Sequence, residues 1–440
     1  MFTKFWPKVR PFDKPIVVVG GGAGGLELVT KLGRYFKGSA QKVILIDQNR
    51  KHVWKPLLHE VAAGSLDADI DGVDYLSHAS KNSFTFLLGQ VDGLNQDLKQ
   101  VSIQQLNDLK GMKVVGETRV AYSILVFALG SVTNDFGTKG VKENCIFLDT
   151  CENAEQFHTD LLNAFLRIQT NPNINKLNIA IIGGGATGVE LAAELVKTSE
   201  LLISYGYDHV SQKRLNINLV EASNRILGPL PEHVANSALA ELKILGINVH
   251  VNTVVTEVTN SYLQTKDGAQ MESQLTVWAA GIKAPNFLQG IGGLESAKNN
   301  QLVVNTFLQT TEDENIFAIG DCAACITPKG IKVPPRAQSA HQMADNALLN
   351  IIAISLKKPL KEYEYIDYGS IVSLSSYTSV GNLMGSMNKR TMFIEGRLAR
   401  IVYIALYRMH QVALFGFFKT FLIMLVGRLN RTLRPNLKLH

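Results

Sequence analysis

Apolar residues along this chain gather in short unbroken runs closed by glycine-rich turns, the pattern of strands buried on both faces. Ile16-Val17-Val18-Val19 leads into Gly20-Gly21-Gly22-Ala23-Gly24-Gly25, then into the helix-like Leu26–Leu32 and a second run, Val43–Ile46. The same succession returns far downstream as Ile179–Ile182, Gly183-Gly184-Gly185-Ala186-Thr187-Gly188, Val189–Val196 and Leu215–Val220. Each copy has a later apolar run ending in glycine, Ser123–Gly130 in one and Leu275–Gly281 in the other. The spacing predicts two strand–turn–helix–strand units, a duplicated domain plan and not a short-period repeat. Asn315–Asp321 is a further apolar run, ending in Gly-Asp; it predicts that the first domain resumes after the second. Around these, Ser199 to Lys213 reads as an inserted surface helix or loop, and Pro334-Pro335 as the approach to a helix. Ile371–Leu374 and Thr391–Ile394 read as strands of a β-rich segment.

The expected fold class is therefore α/β, with two Rossmann-like dinucleotide-binding domains, the second inserted in the first, and a C-terminal membrane-associating amphipathic helical region. In each G-x-G-x-x-G the glycines permit a tight turn, admit a pyrophosphate to the backbone and let helix and strand pack closely. The strands that follow end in Asp47 and Glu221, placed to accept hydrogen bonds from ribose hydroxyls. Glu221 also repels a 2′-phosphate, which favours NADH over NADPH; Arg225 nearby is a mild counter-signal.

Charge changes the picture only at the C-terminus. The formal net charge is +6, yet the segment after Glu395 has eight Lys and Arg residues and no acid, which leaves −2 for everything before it. Nucleic-acid binding by the body is thus not indicated. From Gln411 to Arg431 a helical projection places Phe415, Phe418, Phe421, Leu422, Leu425 and Leu429 on one side. Lys419, Thr420, Gly427, Asn430 and Arg431 fall largely on the other. Arg408, His410 and Lys419 break the run below the ~18 uncharged residues of a spanning helix, so the tail is expected to lie on anionic lipid. Packing on the protein body or in a homodimer interface is the competing use of that face. Residues 1–15 lack an apolar signal core and are not expected to direct export. Four cysteines make no secreted disulfide framework, and Cys322-Ala323-Ala324-Cys325 lacks the second pair a zinc site requires, so no metal is expected.

Taken in order, both fingerprints, the runs ending in Gly130 and Gly281, and Gly320-Asp321 resemble the two-dinucleotide-binding-domain flavoproteins. Narrower stretches resemble the bacterial type II NADH:quinone oxidoreductases: His52-Val53-Trp54-Lys55-Pro56-Leu57-Leu58-His59-Glu60, Ala128–Ser131, Trp278–Ile282 and Ala337-Gln338-Ser339-Ala340-His341-Gln342. That resemblance implies FAD in the first domain, at Gly20, Gly22, Ala23, Gly24, Gly25, Asp47, Lys55, Val91, Gly130, Asp321 and Ala337. It implies NADH in the second, at Gly183, Gly185, Ala186, Thr187, Gly188, Glu221, Ala280 and Gly281. The implied domains are residues 1–150 and 306–360 for FAD, 151–305 for NADH, and 361–440 for the β-rich segment and membrane anchor.

The family sets the start of the helix after Pro335 against the flavin, where the helix dipole stabilises negative charge. Gln338 and Gln342, four residues apart on one face, would donate to a quinone carbonyl. The resemblance places Glu190 near the reacting rings, where burial would raise its pKa and suit it to proton relay. Lys389 is its expected partner. The implied activity is non-pumping NADH:quinone oxidoreduction in a respiratory chain, on the cytoplasmic face of the bacterial inner membrane. A sulfide:quinone oxidoreductase would need cysteines nearer the C-terminus, and none follows Cys325. A non-enzymatic flavoprotein sensor would not need intact glycines in the second fingerprint or the glutamine pair.

Overall fold

The structure, a computed structural model, describes residues 11–108, 110–171, 174, 176–207, 214–374, 378–384, 391–433 and 437–438. The chain forms two compact units. One comprises the chain up to Trp54, Gly72–Val132 and Ile282–Ile366; the other comprises Lys55–Asp71, Thr133–Gly281 and the chain from Asp367 on. Six helices carry most of the polar chemistry: α1 (Ala23–Tyr35), α2 (Leu58–Ala63), α3 (Ala186–Ser204), α4 (Ala337–Ser355), α5 (Gly396–Phe415) and α6 (Phe417–Leu433).

Five parallel strands organise the first unit, in the order Ile316–Ala318, Ile124–Phe127, Ile16–Val19, Val43–Asp47, Thr85–Leu88. No residue of Ile16–Val19 or Ile124–Phe127 is more than 2% exposed, which is why those runs carry no polar alternation. The run ending in Gly-Asp joins this sheet as its edge strand, so chain from either side of the second copy shares one core. A three-stranded antiparallel sheet accompanies it, Val91–Asn95, Gln100–Ile103 and Thr118–Ala121.

The second unit repeats this plan. Its parallel sheet runs Ile146–Phe147, Leu275–Trp278, Leu177–Ile182, Leu215–Val220, Asn248–His250, with the strand before the glycines again central. Its antiparallel companion is Val255–Val258, Tyr262–Thr265 and Gln270–Glu272. Cys145 packs in the core of this unit beside Val220, Leu263 and Trp278, and burial pushes its thiol up to about 12. A third antiparallel sheet, Gly369–Leu374, Thr378–Met384 and Thr391–Glu395, forms where the β-rich segment was expected.

Two expectations change. The helix after the second fingerprint continues to Ser204, with Ser199 and Leu202 fully buried, so the first part of the supposed surface insertion is core helix. The single tail helix is two. Gly416, at φ 80°, ends α5 and starts α6, resetting the register in which Phe415 was aligned with Phe418. Gln411 is buried, while Phe417, Phe418, Phe421, Leu422, Ile423, Met424, Leu425, Val426 and Leu429 are exposed on α6. Only Thr420 among its described side chains is buried, so apolar surface wraps most of the helix circumference. Among the described residues no helix is long and apolar enough to cross a membrane. Beyond α6 the backbone returns: the Lys438 N–H donates to the Gly64 carbonyl at 2.9 Å, and the Lys438 carbonyl lies 2.8 Å from His158 Nε2.

Candidate active site

Both glycine turns are shaped by the same three constraints. Gly20 and Gly183 sit at φ 100° and 115°, and a Cβ on either would come within 2.7 Å of the backbone of the neighbouring strand's end, Ala128 or Ala279. Gly25 and Gly188 lie against the start of their own turns; a Cβ would stand 1.9 Å from the Gly20 carbonyl oxygen or 2.1 Å from that of Gly183. The middle glycines face outward: Gly22 meets only the Ala128 oxygen, at 3.9 Å, and Gly185 nothing within 4 Å. Helices α1 and α3 begin there with neither a side-chain cap nor an acid in the first turn. Open backbone beside uncapped helix N–H groups fits the pyrophosphate of a dinucleotide, in both units.

The two carboxylates play matching parts. Asp47 Oδ2 accepts the Gly21 N–H at 2.6 Å, and Glu221 Oε2 accepts that of Gly184 at 2.7 Å. Their second oxygens accept the N–H of Asn49 and Ser223, each at 2.7 Å. Each acid thus fixes its glycine turn from the strand end, the position from which an acid of a Rossmann fold reaches a ribose. Tyr75 adds a brace in the first unit, its hydroxyl donating to the Gly21 carbonyl at 2.7 Å. Gly24 is buried in α1 against Ala340 of α4, while Ala23 is half-buried, and Ala186 and Thr187 open α3 exposed.

Asp321 is held by Ser131, whose hydroxyl donates to Oδ2 at 2.7 Å, and by Gln301, whose amide donates to its carbonyl at 2.7 Å. Gly130, at φ 68°, turns the chain just before Ser131; Gly281, at φ 66°, turns it after half-buried Ala280 in the second unit. Val91 is buried at the head of its strand. Lys55 lies in the second unit, 3.3 Å from Asp149, which also accepts from the Thr133 backbone and hydroxyl.

Ala337 opens α4, whose N-cap Arg336 provides no side-chain cap, and half-buried Gln338 and Gln342 follow on one face. Gln342 is already engaged. Its amide donates to the Ile366 carbonyl at 2.8 Å while its oxygen accepts the Ile366 N–H at 2.9 Å, a two-point clamp that leaves one amide hydrogen. Also in the first unit, His341 stacks on Trp54 at 5.5 Å and bonds to Glu27, joining residues from two of the resembling stretches.

Glu190, in the second turn of α3, is 6% exposed. Burial raises its pKa to about 8, opposed by the Ser373 N–H on Oε1 at 3.0 Å and helped by the charges of Glu60 and Glu194. His59 Nδ1 lies 3.6 Å from Oε2. Burial takes that imidazole down to about 4, so near neutral pH the two face each other mostly as uncharged acid and uncharged base. Lys389 lies outside the described residues. His59 stood within a motif already singled out; Ser373 contributes only a backbone N–H, which no residue type announces.

The paired thiols are inert. Cys322 and Cys325 are buried and free, and burial raises them to about 11 and about 12. Thiols held that far above neutrality are poor nucleophiles.

Two such cradles on duplicated parallel sheets define a pyridine nucleotide-disulphide oxidoreductase, and the model of that family matches residues 14–344. A type II NADH:quinone oxidoreductase of Haemophilus influenzae is 46% identical over 97% of this chain and all of its own length. One from Staphylococcus aureus is 29% identical over 84% of this chain and 90% of its own. The chain belongs to the type II NADH:quinone oxidoreductases. Among solved structures it shares its fold with NDH2 of Plasmodium falciparum in complex with NADH (TM-score 0.80, 19% identity, 97% of this chain and 100% of that one). The sulfide:quinone oxidoreductase of Aquifex aeolicus is also similar (TM-score 0.72, 19% identity, 92% of each chain).

Proposed function

We propose that this protein oxidises NADH and reduces a membrane quinone through a bound FAD, without moving ions across the bilayer. The observation that carries the reading is the matched pair of open, uncapped glycine turns, each locked by its own carboxylate. The first unit's cradle, with Asp47 and Asp321, holds FAD, and the second, with Glu221, holds NADH. When bound, FAD supplies the two-electron chemistry, taking hydride from NADH and giving the electron pair to quinone.

The chain's own residues position, select and protonate. Glu221 accepts from the nicotinamide nucleotide's ribose hydroxyls and repels a 2′-phosphate. Arg225, whose guanidinium donates to the Gly228 carbonyl at 2.7 Å, keeps its charge and remains the counter-signal to this preference. At the start of α4 the uncapped N–H groups stabilise negative charge. Gln338 donates to a quinone carbonyl, with the remaining Gln342 hydrogen as a second donor, and neither brings a charge into an apolar site. Glu190, mostly protonated at neutral pH and anchored by Ser373, donates a proton as the quinol forms.

α6 inserts its exposed phenylalanines and leucines into one leaflet, with exposed Lys419 and Arg428 among them to meet anionic headgroups. The cytoplasmic face of the inner membrane is the side that supplies NADH. Steady-state NADH oxidation with a soluble quinone analogue tests the whole reading. Turnover is expected with NADH and not with sulfide; bleaching of the chromophore by sulfide and not by NADH would favour the sulfide:quinone reaction.

A further inference from the structure

A dinucleotide needs a seat for each of its halves. In the second unit the glycine turn follows the central strand, and Glu221 stands at the end of the strand on one side of it. A nucleotide with its adenosine ribose there and its pyrophosphate on the turn carries its other half over the strand on the opposite side, Leu275–Trp278. That strand runs out through Ala279, Ala280 and Gly281. Its end touches the turn, because a Cβ on Gly183 would stand 2.7 Å from the Ala280 nitrogen.

One aromatic side chain reaches this strand end. A Cβ on Gly281 would fall 2.3 Å from Cζ of Phe136, whereas one on Gly130, its counterpart in the first unit, would meet nothing within 4 Å. Phe136 is nevertheless 64% exposed, so the tip of the ring rests by the glycine and most of its surface is open. Its loop is strapped to the same strand. The Trp278 indole N–H donates to the Asn134 carbonyl at 2.9 Å, and the Asn134 N–H donates to the Gly281 carbonyl at 3.2 Å.

The backbone beneath this ring suits other residues better. Asp135–Thr138 is a tight turn, closed by the Thr138 N–H on the Asp135 carbonyl at 2.9 Å. Its central residues, Phe136 and Gly137, lie at φ 51° and 69°. Two positive values in succession mark a type I′ turn, whose first central position favours Asn, Asp or Gly. A bulky side chain there is an outlier. Burial does not offset the strain, since the ring is mostly exposed. Strain kept at an open residue beside a ligand cradle points to the ligand.

We propose that Phe136 is a binding residue for the nicotinamide ring of NADH, the counterpart of Glu221 at the other end of the dinucleotide. Its ring offers a flat apolar surface to the nicotinamide and shields it from water, and Gly281, with no Cβ, leaves room for it. The strapped turn presents the ring before the ligand arrives, so little ordering is required on binding. Phe136 takes no part in bond making or breaking.

The inference rests on the second cradle binding NADH, as in the proposed function. Its test uses the full-length, FAD-loaded protein as wild type, Phe136→Asn and Phe136→Tyr. The first gives the turn its preferred Asn-Gly pair and removes the ring; the second keeps the ring. Titration calorimetry measures the affinity for NAD+ and for ADP-ribose, which lacks only the nicotinamide, and thermal melts follow stability. Phe136→Asn is expected to melt at or above wild type, to bind NAD+ about tenfold more weakly and to bind ADP-ribose as wild type does. Phe136→Tyr is expected to match wild type with both ligands. Unchanged NAD+ affinity in Phe136→Asn would overturn the inference, and so would an equal loss for both ligands. A lowered melting temperature in Phe136→Asn would overturn it as well, by showing that the ring serves the fold. A wild-type protein that binds neither ligand would overturn the functional reading itself, a separate failure.

Discussion

Replacing Glu190 with Gln probes stability and chemistry together. Burial raises the carboxyl from 4.5 to about 8, so the folded protein retains a proton that the unfolded chain has lost. For such a group the stabilising contribution is full below pH 4.5 and is lost as pH rises to about 8, above which it is flat. At about 1.4 kcal/mol per pH unit, the wild type should lose on the order of 3 kcal/mol between pH 4.5 and 7.5 from this residue. Gln is neutral throughout and close in shape to the protonated acid, so its variant lacks that slope. Thermal melts of both proteins at half-unit pH steps are the assay. The melting temperature of Glu190→Gln should climb relative to wild type by roughly 6–12 °C over the interval, given the ~2–4 °C per kcal/mol of a unit this size. The NADH step should be spared while the quinone step slows by ~10²-fold, as when a general acid is removed. Parallel melting curves from pH 4.5 to 8 would refute the buried-acid argument, and equal slowing of both steps would refute the donor role.

Three further outcomes test the cradles and the tail. Gly25→Ala forces a Cβ onto the Gly20 carbonyl and should yield colourless protein, whereas Gly188→Ala should keep the yellow colour and raise the KM for NADH at least tenfold; absorbance and initial rates decide. Glu221→Gln retains one acceptor and removes the charge, so the NADH-over-NADPH ratio in kcat/KM should fall by about tenfold. A chain ended at Gly416 keeps α5, with its buried Ala399, His410 and Leu414, but lacks α6. It should turn over a soluble quinone analogue and float free of anionic vesicles; retention on the vesicles would remove α6 as the anchor.

Much of the fold was legible because buried parallel strands must be continuously apolar, and the runs before Gly20 and Gly183 are among the most deeply buried in the molecule. Both carboxylate positions were equally legible, since a strand end beside a glycine turn leaves an acid little else to do. The limit of α3 was not. Ser199 reads as a surface residue until its hydroxyl is seen returning to the Val196 carbonyl at 2.7 Å. Gly416 likewise looked like one small residue inside a helix, and only its positive φ shows that it divides α5 from α6. Within the site, spacing put Gln338 and Gln342 on one face but could not show that Gln342 is committed to Ile366, a partner 24 residues away.

Anaerobic titration of the purified protein tests the central claim most directly. One equivalent of NADH should bleach a yellow chromophore, and one equivalent of a quinone analogue should restore it. A colourless protein, or a chromophore indifferent to NADH, would contradict the pairing of two dinucleotides on which the account stands.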